Sequence, residues 1–165
     1  MKRLCTVLLA IAVLAGLCLT AAAAEADLTV LVDGVPVVWT DAKPVIDEAG
    51  RTLAPVRAIG EAMHLAVSWD SESRIASFSG TTADGQKRTV RLPVDSKVIT
   101  IETKTDAGPE ITTVELDTAA ALIHDRTYAP VRCLGESFGW PVGWDGATRT
   151  VLIGKVPVLK PAGSR

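Results

Sequence analysis

Two hydrophobic rhythms alternate along this chain. Val56, Ile59, Gly60 and Met63 fall at the i, i+3, i+4, i+7 spacing of one helix face, and Val131, Leu134, Gly135 and Phe138 repeat it. After each run the period drops to two. AVSWD (66–70) and PVGWD (141–145) set Val67/Trp69 and Val142/Trp144 toward one side, and after a polar turn RIASF (74–78) and RTVLI (149–153) return with Ala76/Phe78 and Val151/Ile153. Each segment therefore predicts a short helix followed by a β-hairpin. Pro55 and Pro130 are expected in the first helical turn, where a fixed φ helps and the missing N–H costs nothing. LTVLVDGVPVVW (28–39) predicts a further hairpin with Asp33-Gly34 in a type I′ turn, and TADGQ (82–86) carries the same turn chemistry. KRTVRLPV, KVITIET and ITTVEL fill the middle with strands, the last two joined by KTDAGPE.

The two helix-and-hairpin segments are copies. RTLAPVR at 51–57 returns as RTYAPVR at 126–132, and an ungapped comparison of 51–80 with 126–155 keeps twelve of thirty positions. Arg51, Thr52, Ala54, Pro55, Val56, Arg57, Gly60, Glu61, Val67, Trp69, Asp70 and Arg74 match the residues 75 further on. Self-similarity at a fixed offset marks one supersecondary unit built twice. The expected fold class is α+β: curved antiparallel β-sheets packed on short α-helices, in two pseudo-repeats of about 27–80 and 87–155. Gly60 and Gly135 on the buried face each cost about 1 kcal/mol of helix propensity. The return expected for that cost is close approach of helix to strand. Arg57/Glu61 and Arg132/Glu136, four apart on the flank, read as solvated ion pairs worth about a few tenths of a kcal/mol.

The start of the chain changes which residues count. Met1-Lys2-Arg3, an apolar run from Leu4 to Leu19 and TAAAAEAD form a basic region, an apolar core and a small-residue cleavage segment. This is the pattern of a secretory signal peptide over 1–24, with cleavage after Ala24 or Ala26, and it is too short for an ordinary membrane span. The expected mature chain is extracytoplasmic, with no membrane span after cleavage. Of the 17 Lys and Arg, two leave with the signal, so 15 basic residues face 19 acidic ones and the charge is 15 − 19 = −4. That sign disfavours nucleic acid and anionic lipid, which are bound chiefly by neutralising phosphate. Cys5 and Cys18 leave as well, so Cys133 has no intramolecular disulfide partner. Residues 156–165 are expected as a flexible tail.

The order of a D-G turn, an apolar strand, R-T-x-x-P-V-R, a G-E helix, V-x-W-D and an apolar return strand resembles the copper amine oxidase N-terminal-like domain, or stalk domain, of secreted bacterial proteins. The resemblance covers residues 27–155 in tandem form. It implies an antiparallel sheet curved around a helix, and it implies no catalysis, because in the oxidase the chemistry lies in a separate domain. Where that family has Gly after the helix, the second copy keeps Gly139 and the first has His64; the next position, usually small, is Leu65 or Trp140. His64 reads as a left-handed helix-end substitution.

Candidate chemistry is sparse. The copper site of an amine oxidase needs several imidazoles and a tyrosine converted to a quinone. This sequence has two histidines, His64 and His124, at unrelated repeat positions, and a single tyrosine, Tyr128. One mature cysteine and no histidines at ligand spacing predict no metal site and no cofactor. Asp70 and Asp145 could be read as a glycosidase pair, the basis of a remote small-hydrolase alternative. Each, however, follows a strand tryptophan and opens a polar turn, where Asp commonly accepts from backbone N–H groups. No catalytic residue is assigned. Trp69 and Trp144 are expected in the core; Trp39 and Trp140, which are not repeated, are the possible ligand contacts, since an exposed indole can stack on a sugar face. The expected function is an exported, non-enzymatic stalk or binding module whose partner is a cell-wall polysaccharide or an envelope protein. A carbohydrate- or peptidoglycan-binding module using those tryptophans is the alternative.

Overall fold

The computed structural model describes residues 27–154, so the expected leader at 1–24 and the tail at 156–165 lie outside the described residues. In chain order the elements are β1 (Thr29–Val32), β2 (Val35–Pro36), β3 (Val45–Ile46), β4 (Thr52–Pro55), α1 (Val56–Ala62), β5 (Ala66–Asp70), β6 (Ile75–Thr81), β7 (Lys87–Pro93), β8 (Val98–Thr105), β9 (Gly108–Glu115), β10 (Ala121–Ile123), β11 (Arg126–Pro130), α2 (Val131–Ser137), β12 (Val142–Asp145) and β13 (Thr150–Ile153). They form three sheets, ordered β12-β13-β1-β2, β10-β11-β4-β3 and β5-β6-β7-β8-β9. The fold is α+β. Pairing is antiparallel as expected except at β1, which adds to β13 in parallel, Thr29 opposite Thr150 and Val32 opposite Ile153. The β1–β2 hairpin thus extends the β12–β13 hairpin.

Both helices begin one residue later than the proline rule suggests. Pro55 (ψ 111°) and Pro130 (ψ 125°) have extended backbone and serve as N-caps, because each also closes a strand, β4 or β11. Both helices end in the same way. Leu65 N–H donates to the Gly60 carbonyl and His64 N–H to that of Glu61, while Trp140 and Gly139 donate to Gly135 and Glu136. These are the paired bonds of a Schellman stop. The residue that turns the chain is left-handed in each case, His64 at φ 57° and Gly139 at φ 74°. Histidine at this position is therefore the glycine substitute that the sequence suggests.

The buried face of α1 is Val56, Ile59 and Gly60, with Met63 just past its end, and α2 buries Val131, Leu134 and Gly135 with Phe138. The glycines are where the strands come closest. A Cβ on Gly60 would sit 2.7 Å from Val67 Cγ2 and 2.9 Å from Phe78 Cδ1; one on Gly135 would sit 2.5 Å from Val142 Cγ2 and 3.3 Å from Ile153 Cγ2. Each helix thus lies directly on the hairpin next in the chain. Phe78, Phe138, Ile59, Leu92 and Ile99 anchor a core that runs continuously from one helix to the other.

The two-residue loops follow backbone sign. Asp33 (φ 47°) and Gly34 (φ 81°) make the expected I′ turn, and His124 (φ 47°) and Asp125 (φ 58°) make a similar one without glycine. The loop at 82–86 is different: only Gly85 is left-handed, its N–H donates to the Thr82 carbonyl, and the Thr82 hydroxyl accepts from Gln86 N–H. It is a longer hairpin loop, because the strands it joins stop pairing at Thr81 and Lys87.

Candidate functional site

The repeated arginines do not form a site; they tie distant segments. Arg51, just before β4, places Nε 2.5 Å from Asp117 Oδ2 and donates from Nη1 to the Thr118 hydroxyl at 3.0 Å. Arg126, at the start of β11, donates from Nε to Asp41 Oδ2 at 2.7 Å and from Nη2 to the same oxygen. The guanidinium holds the Asp41 carboxyl below its ordinary range. Asp117 precedes β10 and Asp41 precedes β3, so each arginine reaches the approach segment of the other half. Tyr128 adds a bond from its hydroxyl to the Lys43 carbonyl at 3.1 Å. Of the two flanking pairs, Arg132–Glu136 is present at 3.7 Å, whereas Arg57 and Glu61 make no ion pair among the described residues. Exposed partners four apart on a helix gain little from meeting.

Asp70 and Asp145 serve the turns they open. Asp70 accepts from Ser73 Oγ at 2.5 Å and from Glu72 N–H at 3.0 Å; Asp145 accepts from Thr148 Oγ1 at 2.8 Å and Ala147 N–H at 2.9 Å. These bonds, the side-chain hydroxyls foremost, hold both carboxyls below the usual carboxylate range. Neither group is poised as a proton donor at neutral pH. Cys133 is buried, and burial pushes its thiol up to about 12. Among the described residues no cluster of three or more His, Cys, Asp or Glu could hold a metal ion.

The tryptophans are placed otherwise than their spacing suggests. Trp69 and Trp144, expected in the core, are 38% and 46% exposed. Trp39 and Trp140, the candidate ligand contacts, are half-buried against the core instead. The cause is the length of the helices. Seven residues of α-helix span about 10 Å, enough to cover Val67 and Val142 but not the indole two residues further along the strand.

A groove of about 960 Å³ runs along α1, floored by Arg57, Ala58, Glu61 and Ala62. The β1–β2 hairpin forms one wall, and Trp69 and Trp140 also line it. Trp140 Nε1 is buried there and has no hydrogen-bond partner among the described residues. The groove omits Trp39, Asp70, Arg132 and Asp145, so the repeat motif does not converge in one cleft. A smaller hollow of about 340 Å³ runs along α2 at Arg132, Cys133, Glu136 and Ser137, the same four helix positions in the second copy. Buried Ile99 and Ile101 of β8, with Arg88 of β7, wall it off.

Sequence reasoning missed Arg88, Asp41 and Asp117. Their partners lie 49, 85 and 66 residues away, and no local spacing marks them. A family model described as Copper amine oxidase N-terminal domain matches residues 31–153. No curated protein and no solved structure matches the chain.

Proposed function

From the premise that this chain belongs to the copper amine oxidase N-terminal domain family, we propose that it is an exported, non-catalytic stalk or binding module of the cell envelope. Two pseudo-repeats hold a contact groove open on one side of it. The observation that carries the reading is the groove along α1, a preformed concavity with a half-exposed Trp69 and apolar Val35, Val38 and Leu122 at its surface. Ligand sites are commonly of this kind: concave, mostly apolar and supplied with a small number of polar groups. Rigidity favours a spacer role as well, since the core is continuous and each arginine ties one half to the other.

The two-repeat reading rests on register. Ala54 pairs with its counterpart Ala129, and the flanking pairs Leu53 with Pro130 and Pro55 with Tyr128 exchange the counterparts, so the pairing of β4 with β11 is symmetric about the matched alanines. Two copies meeting through one self-complementary strand pair are related by a pseudo-twofold, the geometry of an isologous contact.

Against an enzyme stands the use of its best candidates, since Asp70 and Asp145 are held ionised in separate turns, away from the groove. The second reading, a carbohydrate- or peptidoglycan-binding module, draws support from Trp69, whose exposed indole borders the groove where a sugar face could stack. Pull-down on insoluble cell-wall polysaccharide and on envelope protein extract, with Trp69→Ala, Trp140→Ala and Trp39→Ala beside the parent chain, separates the readings. Polysaccharide retention lost with Trp69→Ala supports the glycan reading, and protein capture lost with it supports the protein contact. No retention of either kind leaves only the spacer, and hydrolytic turnover abolished by Asp145→Asn would reinstate the enzyme.

A further inference from the structure

Among the described residues the three sheets have six edges, and these are not alike. Five of them, β2, β3, β5, β10 and β12, are two to five residues long, and edges this short resist pairing with other chains. The sixth is β9, Gly108–Glu115, eight residues paired with β8 along their whole length without a bulge. Every residue of β9 after Gly108 is exposed, Ile111 at 64% and Val114 at 43%. Among the described residues no strand covers its outer side.

The direction of the β9 backbone is fixed by the bond that follows the strand. Leu116 N–H donates to the Lys97 carbonyl at 2.6 Å, and antiparallel ladders bond at alternate residues. Gly108, Glu110, Thr112 and Val114 therefore turn their backbone to β8. Pro109, Ile111, Thr113 and Glu115 turn theirs outward, offering four carbonyls and, because proline has no N–H, three donors.

That row is complementary to itself. A second copy of β9, turned end for end about an axis at Thr112, sets Ile111 opposite Thr113 and Pro109 opposite Glu115 on both sides of the axis. Every outward residue is then paired, whereas a slip of two residues leaves some unpaired. The matched arrangement makes about six hydrogen bonds, two for each Ile111–Thr113 pair and one for each Pro109–Glu115 pair. The side chains agree with it. Thr112 meets Thr112 and Glu110 meets Val114, so no like charges stand directly opposed. Within one chain, Lys104 lies between Lys87 on β7, an unfavourable like pair, and Pro109 on β9. Glu115 of the second copy falls on the far side of that proline, where its carboxylate faces Lys104 across the small ring.

We infer that two copies of this chain pair through β9, antiparallel about a twofold axis at Thr112, and join their five-stranded sheets into one. The contact is isologous and closed, so assembly stops at two copies. It covers an edge that otherwise templates unselective pairing. No residue of β9 lines the groove along α1, so the pair carries two such grooves. One strand edge is a small interface, and association at about micromolar concentration fits it.

The test is sedimentation velocity on the mature chain from about 1 to about 500 μM, a range suited to so small an interface. A reversible monomer–dimer equilibrium is expected. Ile111→Pro removes an outward N–H and no bond to β8, and proline is tolerated on a strand edge. It should weaken dimerisation by about ten-fold or more while the circular dichroism of the parent is retained. Glu115→Lys, which leaves the backbone untouched, places like charges beside Lys104 and should also weaken dimerisation; adding Lys104→Glu should restore it. In a Cys133→Ala background, Thr112→Cys should oxidise to a disulfide-linked dimer, because facing residues of a non-hydrogen-bonded pair lie about 4.5 Å apart. Ser68→Cys, exposed on the opposite edge strand β5, should not. A chain monomeric at every concentration, a dimer that a folded Ile111→Pro or Glu115→Lys leaves at parental strength, crosslinking at Ser68→Cys equal to that at Thr112→Cys, or assembly that continues past two copies each overturns the inference.

Discussion

Ala54 and Ala129, identical residues 75 positions apart, face each other as paired residues of β4 and β11, and each is 1% exposed. A methyl group is the largest side chain that either has at this closely packed contact. Ala54→Val or Ala129→Val therefore adds volume where there is none, at a cost of about 1–3 kcal/mol each. Because the residues are cross-strand partners, the double variant should depart from the sum of the singles by more than about 0.5 kcal/mol. Urea unfolding measures all three; strict additivity would show that the two residues do not meet.

Gly60→Ala and Gly135→Ala test the helix-on-strand approach. Alanine improves helix propensity by about 1 kcal/mol, so an open position would gain stability. Here the new Cβ would press on Val67 and Phe78, or on Val142 and Ile153. Both variants should lose about 1–3 kcal/mol, and Val142→Ala should partly restore Gly135→Ala because it removes the closest atom. A rise in the urea midpoint for either glycine variant would mean that helix and hairpin do not touch there.

How much of this was legible in the sequence depended on distance along the chain. The helix faces, their glycine contacts and the left-handed His64 follow from spacings of a few residues, and the Asp70 and Asp145 turns from the residues just after each carboxylate. Alternation gives the side of a strand to which Trp69 points, but not that α1 ends before covering it. Pro55 and Pro130 carry the marks of both a strand end and a helix start, and only the backbone, extended at each, decides between them. The parallel pairing of β1 with β13 and the Arg51–Asp117 and Arg126–Asp41 ties join segments far apart in sequence, and nothing local specifies them. The open groove is likewise a product of what β7 and β8 cover and what they leave uncovered.

Cys133 should be chemically silent in the folded chain. Burial pushes its thiol up to about 12, which at pH 8 leaves on the order of one part in ten thousand as thiolate, against roughly a quarter for an ordinary thiol with a pKa near 8.5. Iodoacetamide should therefore modify it at least about a thousand-fold more slowly than it modifies the urea-unfolded protein. Mass spectrometry follows the reaction. Rapid labelling at pH 8 without denaturant would place Cys133 outside the core.

The turn carboxylates give the fold an acid dependence whose direction is set. Asp70 is held below its ordinary value first by the Ser73 hydroxyl and Asp145 first by the Thr148 hydroxyl, with backbone N–H bonds adding to both. A carboxylate with a depressed folded pKa stabilises the native state fully above the unfolded value of about 3.9, and that contribution is lost as pH falls through the folded pKa. Asp145→Asn should therefore unfold at lower urea than the parent chain at pH 7, and the gap should narrow as pH falls below about 3.9. Asp70→Asn should behave alike, since its turn is built the same way. Urea midpoints for the parent chain and both variants from pH 7 to about 2.5 decide the matter. A gap that stays constant down to the lowest pH would mean that the charge on these carboxylates contributes nothing to the turns.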